Sequence, residues 1–325
     1  MSSGRMVIGL VVVVAGIVAL LDALTVNIPW GVVLPAAIVL IGLILLLNPR
    51  SAAAGGWITV GAIMTVVLLV GSFADGPLIT GPVDNVEQAD FDVAEPVERI
   101  VVKVDAGTIE ILGGAGETVE VERRLNFNDE RPRVDHTVVD GVLEIEADCP
   151  GGFFSFGQSC FVDHVLRVPA SVDVEIDTGS GSVTARELEG SVLIDTGSGT
   201  IELVDVSGRV TADSGSGGIV LDGVTGEALV RTGSGGIRGH ALRSLRLVGE
   251  TGSGSIDVGF VTAPDDLDLQ AGSGSVTVTV PVGSYRLDLD TGSGSIELVD
   301  VGDDPGSPRS IRVRTGSGSV QVNGR

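Results

Sequence analysis

Asp177, Asp195 and Asp213 recur at intervals of 18 residues, each two positions before a glycine. Carboxylates held at a fixed repeat can coordinate a hard cation such as calcium, or divide the acid and base roles across a glycosidic bond. Neither pattern is complete. The calcium-binding nonapeptide repeat carries its aspartate after its last glycine, whereas these precede theirs, and the next member of the row is Arg231. A polysaccharide-cleaving β-helix needs clustered acids beneath a long groove-forming loop, and the connections here are short and uniform.

The remaining reactive side chains are few. Cys149 and Cys160 enclose ten residues that include Gly151, Gly152 and Gly157, a spacing that favours a disulfide in an oxidising compartment. With His164 nearby they still lack the paired CxxC spacing of a structural zinc site. His136, His164 and His240 stand alone in sequence, and neither Gly-x-Ser-x-Gly nor His-Glu-x-x-His occurs. No catalytic, cofactor or metal site is expected, and the chain reads as non-enzymatic. Phe153, Phe154, Phe156 and Phe161, four of eight phenylalanines, crowd the segment between the cysteines. They read as a hydrophobic cap over the first coils, with an exposed contact loop as the alternative.

What positions the aspartates is a repeat. A small residue followed by Gly-Ser-Gly occurs eight times. Its glycines are Gly179 with Gly181, Gly197 with Gly199, Gly215 with Gly217, Gly233 with Gly235, Gly252 with Gly254, Gly272 with Gly274, Gly292 with Gly294, and Gly316 with Gly318. The steps are 18, 18, 18, 19, 20, 20 and 24 residues. Apolar residues lie five and three positions before each first glycine and four after it, as in Val174, Ile176 and Val183. Alternation on both sides of the phrase marks two strands with one buried face, and the glycines, which permit a positive φ, mark the corner between them. A flexible Gly/Ser linker would not keep this register, and a phosphate loop would need a Gly-Lys-Ser/Thr continuation.

The aspartates then belong to an outward row with Arg231, Glu250, Gln270, Asp290 and Arg314. The threonines beside them, such as Thr178 and Thr196, form a hydroxyl ladder that neighbouring coils can satisfy. The pattern predicts an all-β fold, a single-chain β-solenoid or flattened parallel β-helix with about 18–20 residues per coil. Upstream, Ile100–Val104, Thr108–Leu112 and Thr118–Glu122 alternate similarly, and Val142–Ile145 and Val165–Val168 less regularly. They read as earlier coils of the same body.

Three apolar stretches, about 6–26, 29–47 and 56–74, precede this body, each near the ~20 residues that span a bilayer. Domain boundaries follow: three transmembrane helices over 1–74, a stem over 75–97 and the solenoid over 98–325. Arg5 and Arg50 flank the spans on one side, so the positive-inside rule places the C-terminal domain outside a multi-pass plasma-membrane anchor. The net charge is −23, and all 43 acidic residues but Asp22 lie beyond residue 74. Such a surface repels nucleic acid and favours cations or high salt.

The Asp-Thr-Gly-Ser-Gly-Ser-Val and Asp-Thr-Gly-Ser-Gly-Ser-Ile runs over about 98–325 resemble the β-strand-repeat family of unknown function labelled "putative adhesin". The stretch from Leu20 through Trp30 to Leu47 is similar to the membrane segment of Lia-type cell-envelope stress proteins. The resemblances imply a membrane-anchored adhesin-like scaffold that meets another envelope protein or a surface glycan. They also imply an alternative, an envelope-stress regulator acting on a membrane sensor kinase. They supply no catalytic residues.

Overall fold

The computed structural model describes residues 85–128, 130–150 and 160–325, which belong to one compact unit. The expected membrane helices over 1–74, and Phe153, Phe154 and Phe156, lie outside the described residues. Among the described residues every regular element is a strand, and no helix is long and apolar enough to cross a membrane.

The first part of the chain forms β1 (Asn85–Gln88), β2 (Phe91–Val93), β3 (Arg99–Ala106), β4 (Ile109–Gly114), β5 (Val119–Phe127), β6 (Arg133–Val139), β7 (Val142–Asp148) and β8 (Cys160–Pro169). Paired coils follow as β9 (Asp173–Ser180) with β10 (Val183–Arg186), β11 (Val192–Ser198) with β12 (Ile201–Val204), and β13 (Val210–Ser216) with β14 (Ile219–Asp222). Next come β15 (Ala228–Ser234) with β16 (Ile237–Leu242), β17 (Arg246–Ser253) with β18 (Ile256–Phe260), and β19 (Asp266–Ser273) with β20 (Val276–Val280). The chain ends in β21 (Gly283–Thr291), β22 (Ile296–Val299), β23 (Val301–Asp303), β24 (Ser310–Ser317) and β25 (Val320–Gly324).

Each coil contributes one strand to each of two sheets. The A sheet runs β1-β5-β8-β4-β10-β12-β14-β16-β18-β20-β25-β22, and the B sheet runs β23-β21-β24-β19-β17-β15-β13-β11-β9-β3-β7-β6. Within the repeat all pairing is parallel, with Val183 opposite Ile201 and Asp195 opposite Asp213, and the register shifts only where β16 meets β18, between Gly239 and Leu242. The inward positions close a thin apolar layer between the sheets. Ile176, Val183, Ile194, Ile201, Val210 and Ile219 are all at most 1% exposed.

Two coils stack out of chain order. The first, β3/β4, lies between β7/β8 and β9/β10, and the last, β24/β25, is inserted between β19/β20 and β21/β22. The eighth glycine pair, Gly316 and Gly318, therefore sits seventh in the stack, and the seventh pair, Gly292 and Gly294, sits eighth. Gly294 packs on the Gly318 carbonyl and Gly318 on the Gly274 carbonyl, so Gly274 and Gly294, successive in sequence, are not stacked on each other. The 24-residue step carries the chain from Asp300 back across β21, where β23 lies against Gly283–Tyr285.

The N-terminal end departs from the expected arrangement. Val119–Glu122 belongs to β5, which runs antiparallel to β8 instead of forming a parallel coil. Residues 85–97, expected in the stem, supply β1 and β2, both antiparallel to β5, with Val93 and Val97 buried. Strand alternation has the same period in parallel and antiparallel sheets, so spacing alone does not separate the two. Cys149 and Cys160 are joined by a disulfide with their Cα atoms 5.7 Å apart, and Phe161 is half-buried on β8 opposite Asn126.

Candidate functional site

The corners explain the surface. In every copy the first glycine and the serine after it are exposed, two residues past the outward charged or polar position. A Cβ at Gly215 would sit 2.6 Å from the Gly197 carbonyl oxygen of the coil below, and the same contact recurs at Gly233 and Gly252. Only glycine lets the backbones approach this closely, and its missing side chain leaves a trough along the stack. The second glycines are pressed harder, as at Gly254, where a Cβ would overlap the Gly235 carbonyl. A positive φ is not general among them. Gly294 and Gly318 adopt one, at 155° and 142°, whereas Gly254 does not. Close stacking alone thus requires glycine at Gly254, where conformational freedom was the expected reason. The hydroxyl row pins several corners from inside, although position 271 is Ala and the buried Thr196 hydroxyl finds no partner among the described residues. Thr232 donates to the Gly217 carbonyl at 2.8 Å, Thr251 to Gly235 at 2.8 Å and Thr315 to Gly274 at 2.8 Å.

The trough is a groove of about 740 Å³ on the outer face of the B sheet. Its floor is the glycine row from Gly215 to Gly316, and its wall is the outward row that begins at Asp195. In stacking order that wall reads Asp195, Asp213, Arg231, Glu250, Gln270 and Arg314. Five steps at the strand spacing give a length of roughly 24 Å. Charge is graded along it: acidic at Asp195 and Asp213, paired where Arg231 meets Glu250 at 3.2 Å, and basic at Arg314. Burial raises the Asp213 carboxyl pKa above its usual value, against the opposing pull of Arg231.

The wall groups are carboxylates, guanidiniums and an amide, which can form hydrogen bonds and ion pairs with a ligand. The groove holds no histidine, cysteine or lysine, and among the described residues no three His, Cys, Asp or Glu side chains converge to hold a metal ion. His240 is exposed on β16, away from the groove lining. His164 is 1% exposed in the N-terminal end, its Nδ1 3.1 Å from the Val162 carbonyl, and burial pushes its pKa down to about 4. His136 stacks on Phe91 at 3.8 Å, with the Arg123 guanidinium 4.6 Å from the same ring. Burial and then Arg123 lower the His136 pKa.

The structure gathers five of the first glycines and six members of the outward row into one groove, leaves Gly179, Gly197, Gly292, Asp177 and Asp290 outside its lining, and places the cysteines and Phe161 at the other end of the stack. Sequence spacing located the corners but not the trough. The available signal was parity: a residue two positions after an outward Asp also faces outward.

A family model described as Toastrack DUF4097 matches residues 97–323. The chain belongs to the Toastrack DUF4097 family. No curated protein matches it. Among solved structures it is similar to a "putative adhesin" of Bacteroides fragilis, at 14% identity over 75% of this chain and 99% of that one, with a TM-score of 0.43. A "putative lipid binding protein" of Parabacteroides distasonis matches at 14% identity over 75% and 98%, with a TM-score of 0.40. A "putative adhesin" of Parabacteroides merdae matches at 10% identity over 75% and 98%, with a TM-score of 0.35. Similarities this distant assign no ligand to the Toastrack groove.

Proposed function

We propose that this Toastrack protein is an adhesin-like scaffold of the cell envelope. In this reading residues 1–74 anchor it in the plasma membrane, the solenoid stands outside, and the B-sheet groove holds a linear surface glycan without cleaving it. The observation that carries the reading is the groove itself, continuous over six coils and built from a row that must be glycine. Each coil advances ~4.8 Å, close to the length of one sugar ring in an extended polymer. Carboxylate, guanidinium and amide groups along one wall suit hydroxyl-rich ligands, while a net charge of −23 disfavours polyanions. No aromatic side chain lines the groove, so each ring contributes little and affinity accumulates along the chain.

The test uses the full-length protein against soluble neutral envelope glycans, with binding followed by calorimetry. Replacing both Arg231 and Gln270 by Ala should weaken binding at least tenfold while leaving the melting curve within a few degrees. Wild-type protein that binds none of the glycans, or a variant that binds equally well, would overturn the groove reading. Exterior placement is tested separately. Ser234→Cys, at an exposed corner, should label with an impermeant thiol reagent on intact cells, and labelling only after lysis would defeat it.

A further inference from the structure

The two ends of the stack are finished differently. At the N-terminal end antiparallel strands lie across the last parallel coils, and Phe91, His136 and Arg123 pack together there. At the other end, among the described residues, the outermost coil, β21/β22, has nothing paired beyond it except the short strand β23. All four residues of β22 are exposed, with Ile296 at 45% and Leu298 at 44%, although their counterparts Val276, Val278, Val320 and Val322 are at 0%. Leu287 and Leu289 on β21 are only half-buried, and Val282 beside them is 67% exposed. The core of the solenoid therefore reaches solvent at this end, together with two unpaired strand edges, a combination that invites strand pairing.

We infer that this end is an interface between two copies of the chain, joined about a two-fold axis with β21 antiparallel to β21 of the partner. Charge and register both select that occupant. The outer edge of β21 is covered by β23 from Gly283 to Tyr285, which leaves Arg286 to Thr291 free to pair, and the antiparallel register that matches opposite charges is the one centred on Asp288. That register sets Arg286 of each copy opposite Asp290 of the other, twice per interface. Among the described residues neither side chain has an ion-pair partner within its own chain, whereas Asp288 on the axis is already neutralised by Arg312 at 3.2 Å and Arg314 at 3.3 Å.

The main chain agrees. The Arg286 and Gly292 amides donate to Arg309 and Thr315 on the β24 side, so by alternation Leu287 and Leu289 present their backbone groups outward. Leu287 N–H meets the Asp303 carboxylate at 3.2 Å, a contact that a partner carbonyl replaces. The same axis brings the two β22 strands together, closing Ile296 and Leu298 of one copy on those of the other.

The footprint is small. Two strands of about six residues on sheets ~10 Å apart present roughly 400 Å² per copy, below the ~800 Å² per partner of a standard stable complex. The dimer is therefore reversible. Because the N-terminal end is covered differently, association closes at two copies and does not propagate into a fibre.

The experiment is oxidative cross-linking of the purified full-length chain in mild detergent, across a concentration series. Asp288→Cys lies on the axis, where antiparallel Cα atoms approach to disulfide range. It should give a concentration-dependent homodimer, at least tenfold more than Arg238→Cys on the exposed face of a central coil. Adding Ile296→Lys and Leu298→Lys, both at sites already exposed, should abolish the dimer. Arg286→Asp should reduce it at least fivefold, and Arg286→Asp combined with Asp290→Arg should restore it. Equal cross-linking at positions 288 and 238, a dimer that survives the two lysines, a cross-link of any mass other than two chains, or a charge swap that fails to restore would each overturn the interface.

Discussion

Gly199→Ala isolates what holds the corners together. Gly199 has a φ of +151°, and an added Cβ would fall 2.6 Å from the Gly181 carbonyl carbon in the coil below. Two costs add. The backbone conformation is essentially glycine-only and costs another residue about 1–3 kcal/mol. The steric conflict is with backbone, so the corner must open, weakening the Gly181 N–H bond to Ser198, now 2.9 Å, for about another 1 kcal/mol. The expected loss is about 3 kcal/mol. In a domain of this size that lowers the melting midpoint by roughly 6–12 °C.

Two companion variants separate the terms. Gly197→Ala carries no positive φ but places its Cβ 2.5 Å from the Gly179 carbonyl oxygen, so it reports the steric part alone. Gly116→Ala meets nothing within 4 Å and should stay within about 0.5 kcal/mol of wild type. The assay is thermal melting of the full-length chain by circular dichroism, comparing midpoints because stacked repeats need not unfold in one step. If Gly199→Ala melts with Gly116→Ala, the corner is a loose loop and the reasoning fails. If Gly197→Ala is as damaging as Gly199→Ala, the backbone-strain component is refuted.

His164, with its pKa lowered by burial from 6.5 to about 4, binds its proton more readily in the unfolded chain. Its stabilising contribution is thus present above pH 6.5 and lost as pH falls towards 4, by at most about 3 kcal/mol; His164→Leu should flatten that part of the urea-midpoint profile, and an unchanged slope would remove His164 as the cause. Hydrogen exchange should run against chain order: amides of β25, between β20 and β22, should be better protected than those of β22 at the open edge. Faster exchange over 320–324 than over 296–299 would contradict the observed stacking.

The repeat was legible because period-2 alternation on either side of a fixed glycine phrase constrains both strands and the corner at once. The inward rows at Val174, Ile176 and Val183, and the outward row at Asp177, lie where spacing placed them. Stacking order was not legible, since every coil presents the same apolar width to its neighbours and any coil can follow any other. The antiparallel course of β5 was hidden for a similar reason, because alternation carries no direction. The groove was hidden by reading glycine only as a conformational device. At Gly215 and its equivalents the missing side chain matters equally for what it leaves open outside.

The out-of-order coils have a physical logic in the outward rows. Stacked in chain order, β21 would lie on β19 and bring Asp288 beside Asp268, both on the same row. The inserted β24 instead puts Arg312 between them, 2.9 Å from Asp268 and 3.2 Å from Asp288. The same arrangement occurs at the other end. There Lys103 on β3 separates Glu144 and Glu146 on β7 from Glu175 and Asp177 on β9, with its ammonium 2.6 Å from Glu144 and 3.9 Å from Glu146. Apolar burial does not explain the order at the C-terminal end. The displaced β21/β22 coil offers Leu289, Ile296 and Leu298, each one methylene larger than the Val313, Val320 and Val322 that occupy the inner place, with Leu287 matching Ile311 in size, a difference worth about 2.4 kcal/mol the other way at ~0.8 per methylene. Like charges directly opposite on adjacent strands cost up to about 1 kcal/mol each, and opposite charges gain a similar amount. Arg312 would meet Asp288 in either order, so the exchange is of one like-charge contact for one mixed one, up to about 2 kcal/mol, which is the size of the hydrophobic difference it opposes. In a chain this acidic, with one lysine and nineteen arginines, a basic strand between two acidic ones offsets the burial that the order gives up, and that order leaves the large apolar residues of β22 at the open end.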